Sequence, residues 1–399
     1  MANCIFCGSA LSRKTKPEHV ILNALGGRKT TTQVICSACN NYFGNSIDKA
    51  LTDQVKVIRN LLQMESGTGT APPMLRKLQA GGKFLNIRGD GTLEQVKKPF
   101  SITEQSEGSF KIEIYARSIE ELDNLIPNIA ASLRIPEADI RSQMSTAKAR
   151  IIEQRPGTID FQLSFGGHHA IRSAAKACLV LWALRVGNNE IRQQNYDAVR
   201  TFVTAGSEEF LKTRTALDAR LLDNADQVKE AYGPLFNLIY VRSNDTGRVV
   251  GHFTLYNVLG FQIVLLESGG APNEFIGIVS NPLSPSDWSD EAAVLFDVPF
   301  EWLDRPEYDA TFETQRERAS EVLRAYVDRS HPKELHRICD IVFEKYGLGE
   351  HDPIPEKLQS MVFSEICERF ATHALSLPFE EAIPEDQLRT ALAYRLTKI

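Results

Sequence analysis

At 399 residues, with 43% apolar and 24% charged side chains, the chain has the make-up of an ordinary globular protein with room for two or three domains. Its formal net charge of −6 points to no partner by itself. No apolar run reaches the ~18 residues of a membrane-spanning helix, and the longest, residues 177–186 (ACLVLWALRV), reads as a buried helix.

The densest pattern comes first, between residues 4 and 48. Two Cys-x-x-Cys pairs, Cys4/Cys7 and Cys36/Cys39, bracket Glu18-His19 and Gly26-Gly27. Two residues between thiolates let a tight knuckle aim both sulfurs at one point, and two such knuckles make a closed tetrahedral site for structural Zn²⁺. The four thiols leave His19 free of that duty. Glu18 and His19 are neighbours on an extended segment, so their side chains face opposite ways. Asn40 follows the last thiolate at the start of a predicted helix, where its amide oxygen can turn toward the same place. The double glycine permits positive φ and close backbone approach beside a metal.

At these residues the chain resembles the HNH (ββα-metal, treble-clef) endonuclease family, in the branch written CxxC…EH(V/I)…LGG…CxxCN…FG. The matching residues are Cys4-x-x-Cys7, Glu18-His19-Val20-Ile21, Leu25-Gly26-Gly27, Cys36-x-x-Cys39-Asn40 and Phe43-Gly44, covering about residues 1–60. The resemblance implies that His19 is the general base that activates water. It implies that Glu18 and Asn40 ligate a catalytic divalent ion, Mg²⁺ or Mn²⁺. The middle Asn of the usual pattern is missing, and the corresponding region reads Thr30-Thr31-Thr32-Gln33.

Phosphodiester hydrolysis needs a deprotonated water in line with the scissile bond and a cation to neutralise developing charge. A neutral imidazole suits the first task, and a hard ion on one or two oxygen ligands plus phosphate and water suits the second. Charge distribution agrees with a polyanionic substrate. Residues 1–100 hold 14 basic and 6 acidic side chains, whereas the remainder holds 31 basic and 45 acidic. Arg13, Lys14, Lys16, Arg28 and Lys29 crowd around His19 in sequence, where they could contact backbone phosphates.

Beyond the motif, Phe43, Ile47, Leu51, Val55, Ile58 and Leu62 recur at helical spacing and predict one amphipathic helix. A Gly/Thr/Pro stretch follows. Residues 83–116 read as a β-meander with a turn at Asp90-Gly91, and a capping box at Ser118 opens a helix to about Leu133. A helix-then-strand segment runs to about residue 165. His168-His169 open the most apolar helix, more simply a helix start than a second metal site. Residues 234–280 switch to period two, predicting a three- or four-stranded antiparallel meander with a turn at 244–247 and His252 on a strand surface. Helices are expected near 310–328, 332–346, 355–375 and 384–397. Cys178, Cys339 and Cys367 read as buried thiols, and the chain shows no repeat, P-loop or dinucleotide fingerprint.

The expected fold class is α+β and multi-domain. A zinc-stapled module spans 1–63 and a linker 64–82; an α+β domain spans 83–290 and a helical region 291–399. The expected function is a metal-dependent endonuclease acting on double-stranded DNA. The larger part would serve as sensor, specificity element or dimerisation part, by analogy with bacterial restriction and anti-phage defence proteins. A homodimer would pair two nicks into a double-strand cut. Thiol usage and the lack of an apolar signal core point to the cytoplasm and away from a membrane. The alternative is a non-catalytic zinc module that docks nucleic acid or protein.

Overall fold

The computed structural model describes residues 2–80, 83–96, 98–105, 109–116, 119–144, 149–153, 164–220, 222, 224–307, 312–349, 351–375, 377 and 379–383. Helices and antiparallel sheets are mixed along the chain, and its C-terminal part is helical. Two compact units divide it, neither continuous in sequence. One comprises Met1–Leu75, Ile87–Leu93 and Phe161–Ser330; the other comprises Arg76–Asn86, Glu94–Asp160 and His331–Ile399.

The helix Gly167–Val186 lies at the centre of the first unit. Every residue from 170 to 183 is buried, as expected of a helix enclosed on all sides. Along one flank it packs on the helix Ile47–Leu61, and along another on a six-stranded antiparallel sheet. The sheet order is Trp288–Ser289, Phe275–Ser280, Asn237–Ser243, Val249–Leu255, Leu259–Leu266, Thr215–Asp218. At Gly251 an added Cβ would lie 2.8 Å from the Cys178 Cβ, so the missing side chain lets helix and sheet approach closely. The Asn244–Gly247 turn forms as expected, with the Asn244 Oδ1 accepting from the backbone N–H of Thr246 and Arg248.

Period-two alternation divides the sheet between two apolar layers. Ile239, Val241, Phe253, Phe261 and Ile263 join the central helix, while Leu238, Tyr240, Val250 and Val279 pack with Ala292, Phe296 and Leu303. That second layer overturns the surface expectation for His252, which is only 2% exposed. Its ring lies 5.0 Å from the Trp302 ring, with Nε2 3.3 Å from Asp218 and Nδ1 3.3 Å from the Thr254 hydroxyl.

The apolar stripe after the second knuckle is entirely buried, but it lies on two helices, Ser37–Asn45 and Ile47–Leu61. Ser46, at φ −123° and ψ −91°, breaks them.

The second unit contains most of a three-stranded sheet (Leu75–Ala80, Lys83–Ile87, Leu93–Gln95) and a hairpin, Phe100–Glu104 with Phe110–Ile114. The strand Leu75–Ala80 falls within the stretch read as a linker. Helices Ile119–Leu133 and Glu137–Met144 share a small core of Ile126, Ile129, Ala130 and Ile140 with Phe100, Ile112 and Ile114 of the hairpin. The strand Ala149–Glu153 pairs with Phe379–Ile383, beside the helix Glu356–Ala374. Two helices expected around residue 330 are one, Phe312–Lys345, which runs through Pro332. Proline removes one donor from the ladder, and burial of Ile338 and Val342 beyond it holds the helix together. Cys178 is buried as expected, but Cys339, on helix Phe312–Lys345, is half-buried, and Cys367 is exposed, because helix Glu356–Ala374 keeps much of its surface in solvent. The Ser118 capping box and the helix expected near 384–397 lie outside the described residues.

Candidate active site and zinc cluster

The two knuckles bring four sulfurs together. All four Sγ atoms of Cys4, Cys7, Cys36 and Cys39 lie within 4.8 Å of one another, with Cys7 and Cys36 at 3.5 Å. A tetrahedral Zn²⁺ holds thiolates about 3.8 Å apart, so the donor set and spacing fit the ion. Each knuckle is shaped by its own backbone. In the first, Gly8 N–H donates to the Cys4 carbonyl at 3.0 Å and Cys4 N–H to the Ser9 carbonyl at 2.8 Å. In the second, Cys36 caps the motif helix Ser37–Asn45, accepting from the Cys39 N–H. Burial pushes the Cys7 thiol up, but hydrogen bonding with Ser9, Cys36 and Cys39 outweighs it and holds Cys7 at about 6. Burial raises the Cys4 and Cys39 thiols instead, so zinc binding at the four sulfurs displaces protons.

Between the knuckles, Glu18–His19 forms a short motif strand paired antiparallel with Thr30–Thr31. Glu18 stands opposite Thr31 and His19 opposite Thr30. The loop joining the two strands turns at Gly26 (φ +88°), and a Cβ on Gly27 would sit 1.9 Å from the Ile21 carbonyl oxygen. Glycine is required at both positions, as the double-glycine pattern suggests.

The two motif side chains diverge. Glu18 points inward and is 3% exposed; its Oε1 accepts a hydrogen bond from Lys176 Nζ at 2.5 Å. The same ammonium donates to Asp48 Oδ2 at 2.6 Å, and the Ser173 hydroxyl donates to Asp48 Oδ1 at 2.6 Å. Lys176 is fully buried, midway along the central helix. Burial alone would lower its pKa, but Asp48 and Glu18 overcome that and raise it, so the ammonium stays charged. Burial, with the Asp48 charge adding and Lys176 opposing, raises the Glu18 carboxyl.

His19 is half-buried. Burial lowers its pKa first, and the Lys176 and Lys16 cations lower it further, so the ring is neutral at neutral pH. Asn40 is 8% exposed, and its Nδ2 donates to the Pro17 carbonyl at 2.9 Å and more weakly to that of Lys16. This ties the zinc-fixed helix to the residues entering the motif strand. Among the described residues, neither Glu18 Oε2 nor Asn40 Oδ1 takes part in a hydrogen bond. A carboxylate oxygen and an amide oxygen are each of the kind that ligates a hard divalent ion.

Of the five basic residues read as phosphate contacts, Arg13, Lys14, Lys16 and Arg28 are exposed. Lys16 Nζ donates to Asn41 Oδ1 at 2.8 Å, beside the motif helix. Lys29 is instead ion-paired with Asp290 at 2.5 Å.

Residues 4–56 match the family model of the HNH endonucleases. No curated protein and no solved structure matches the chain. The N-terminal part is thus an HNH module whose four cysteines are placed to hold zinc, and its knuckles, motif strand and motif helix all lie inside the matched residues. Lys176 and Ser173 lie outside them, and together with Asp48 they are the site residues that sequence reading missed. A signal was present for one: Lys176 interrupts AAKACLVLW, and a lysine inside a run that must be buried requires a carboxylate partner. Among the described residues, His168 and His169 join no group of metal-binding side chains. His168 packs edge-on against Phe202 and His169 contacts Arg172.

Proposed function

We propose that the protein is a divalent-metal-dependent endonuclease that hydrolyses phosphodiester bonds of DNA, with His19 as the general base. The observation that carries this reading is the environment of His19. The ring sits on the motif strand beside the zinc-fixed helix, half-exposed and held neutral by burial and two cations. A neutral imidazole with access to solvent accepts a proton from water.

The Asn40 bond to Pro17 sets the entry of that strand, and the register with Thr30 sets its exit. Glu18 Oε2 and Asn40 Oδ1 are the oxygens available to hold Mg²⁺ or Mn²⁺, which when bound supplies charge neutralisation at the phosphate. Arg13, Lys14, Lys16 and Arg28 hold the backbone of the substrate without reading its sequence. The rest of the chain selects the substrate or pairs two copies, each cutting one strand.

Burial of Glu18 and its bond to Lys176 favour a second reading, a zinc module that binds nucleic acid without cutting it. Supercoiled-plasmid cleavage separates the two. The full chain and His19→Ala are assayed with Mg²⁺, Mn²⁺ and EDTA at low and moderate salt. Cleavage by the wild type, abolished by EDTA and reduced at least ~100-fold in His19→Ala with zinc content unchanged, is the expected result. Salt-sensitive binding with no cleavage under any ion would move the conclusion to the docking module.

A further inference from the structure

We propose that Lys176, more than a hundred residues beyond the HNH module, is a positioning residue for the nuclease site, clamping the Glu18–His19 strand to the helix Ile47–Leu61 through Asp48. The inference rests on the nuclease reading only for the part of its test that measures cleavage.

The geometry is a closed chain of short contacts. Lys176 Nζ reaches Glu18 Oε1 at 2.5 Å and Asp48 Oδ2 at 2.6 Å, while Ser173, one turn earlier on the same helix, holds Asp48 Oδ1 at 2.6 Å. Glu18, Asp48, Lys176 and Ser173 are each no more than 8% exposed. The Phe43 ring, one turn after Asn40 on the motif helix, centres 6.0 Å from the ammonium. One lysine therefore contacts the strand bearing the base, the helix bearing Asp48 and the helix bearing Asn40.

Water does not replace it in a buried site, and one cation facing two carboxylates leaves no surplus positive charge. The strand itself is two residues long and has one paired neighbour, so its own hydrogen bonds fix it weakly. With Oε1 of Glu18 anchored, the strand is pinned in the direction normal to the hairpin, and with it the backbone of the adjacent His19, which strand alternation places on the other face. The family match ends at residue 56, so the module relies for this anchor on a part of the chain that the match does not include.

The test uses the full chain, wild type, Lys176→Met and Lys176→Arg, with selectively labelled histidine. Of the 8 histidine ring signals, that of His19 is assigned by its loss in His19→Gln. In Lys176→Met the His19 signal is expected to shift or broaden while the rings distant from the site keep theirs. Zinc content remains at the wild-type value, and kcat for plasmid cleavage falls at least tenfold with KM within threefold. Lys176→Arg, which keeps the charge but enlarges the head group, shows the same changes to a smaller degree. If Lys176→Met does not fold, Lys176→Arg decides the matter. An unmoved His19 signal and wild-type kcat in the folded, zinc-loaded variant would overturn the proposal. A wild type that never cleaves would defeat the nuclease reading alone, because the ring signal in Lys176→Arg, which keeps the cation that lowers the His19 pKa, still reports whether Lys176 positions the strand.

Discussion

Two carboxylates and one ammonium are packed where water does not reach, and the Ser173 hydroxyl is the neutral member of the group. Its bond to Asp48 at 2.6 Å is a charge-assisted contact. Ser173→Ala removes that donor and leaves one Asp48 oxygen buried without it. The expected cost is about 1.5–3 kcal/mol, read as a lower urea midpoint at unchanged m-value. A midpoint within error of wild type would mean that the site rearranges to resatisfy Asp48. At this scale much was legible in the sequence: the four cysteines, Glu18-His19 and Asn40 stand out because their chemistry depends on short spacings. Lys176 stands out only as a lysine in an apolar run; its pairing with Glu18 was not legible, because 158 residues separate them and no local pattern names the partner. His252 was misread for a related reason. Alternation assigns a residue to a face of a strand, but it does not say whether a second layer, here Trp302 and its neighbours, covers that face.

Cys36 works at the level of the element, since it is both a zinc ligand and the cap of the motif helix. Cys36→Ser keeps a capping oxygen but removes a thiolate, so it separates the two roles. The expected outcome is loss of zinc together with loss of helical order over residues 37–45, measured by metal analysis and amide hydrogen exchange. Retention of one equivalent of zinc with normal protection would show that three thiolates suffice. The apolar stripe from Phe43 to Leu62 was legible as helix because its period is local. The break at Ser46 was not, since the stripe continues in phase across it and every member stays buried. Pro332 misled in the opposite sense: it reads as a stop, yet burial on its C-terminal side carries the helix Phe312–Lys345 onward.

Taken as a molecule, the HNH module shares its core with the central helix and the sheet. Ile5, Val20, Phe43, Leu51 and Val55 belong to the same apolar cluster as Ala174, Leu179, Trp182, Phe253 and Ile263. A peptide of residues 1–63 would expose the faces that the helix Gly167–Val186 now covers. Such a fragment, loaded with zinc, is expected to give a poorly dispersed amide spectrum and to bind a hydrophobic dye. A sharp, dispersed spectrum would establish the module as an independent domain. The α+β class was legible in the sequence, from period-two stretches separated by helical ones. The two compact units were not, because each gathers segments far apart in the chain and sequence order carries no mark of the return.

The interval between Glu18 and Lys176 also sets an order of events during synthesis. At translation rates of about 5–20 residues per second, the lysine is added roughly 8–30 s after the glutamate. The knuckles and the base are therefore complete on the ribosome long before their clamp exists. A nascent chain carries every residue of the HNH motif without the contact that seats its strand, so the site closes only once the sheet-bearing part of the protein is being made.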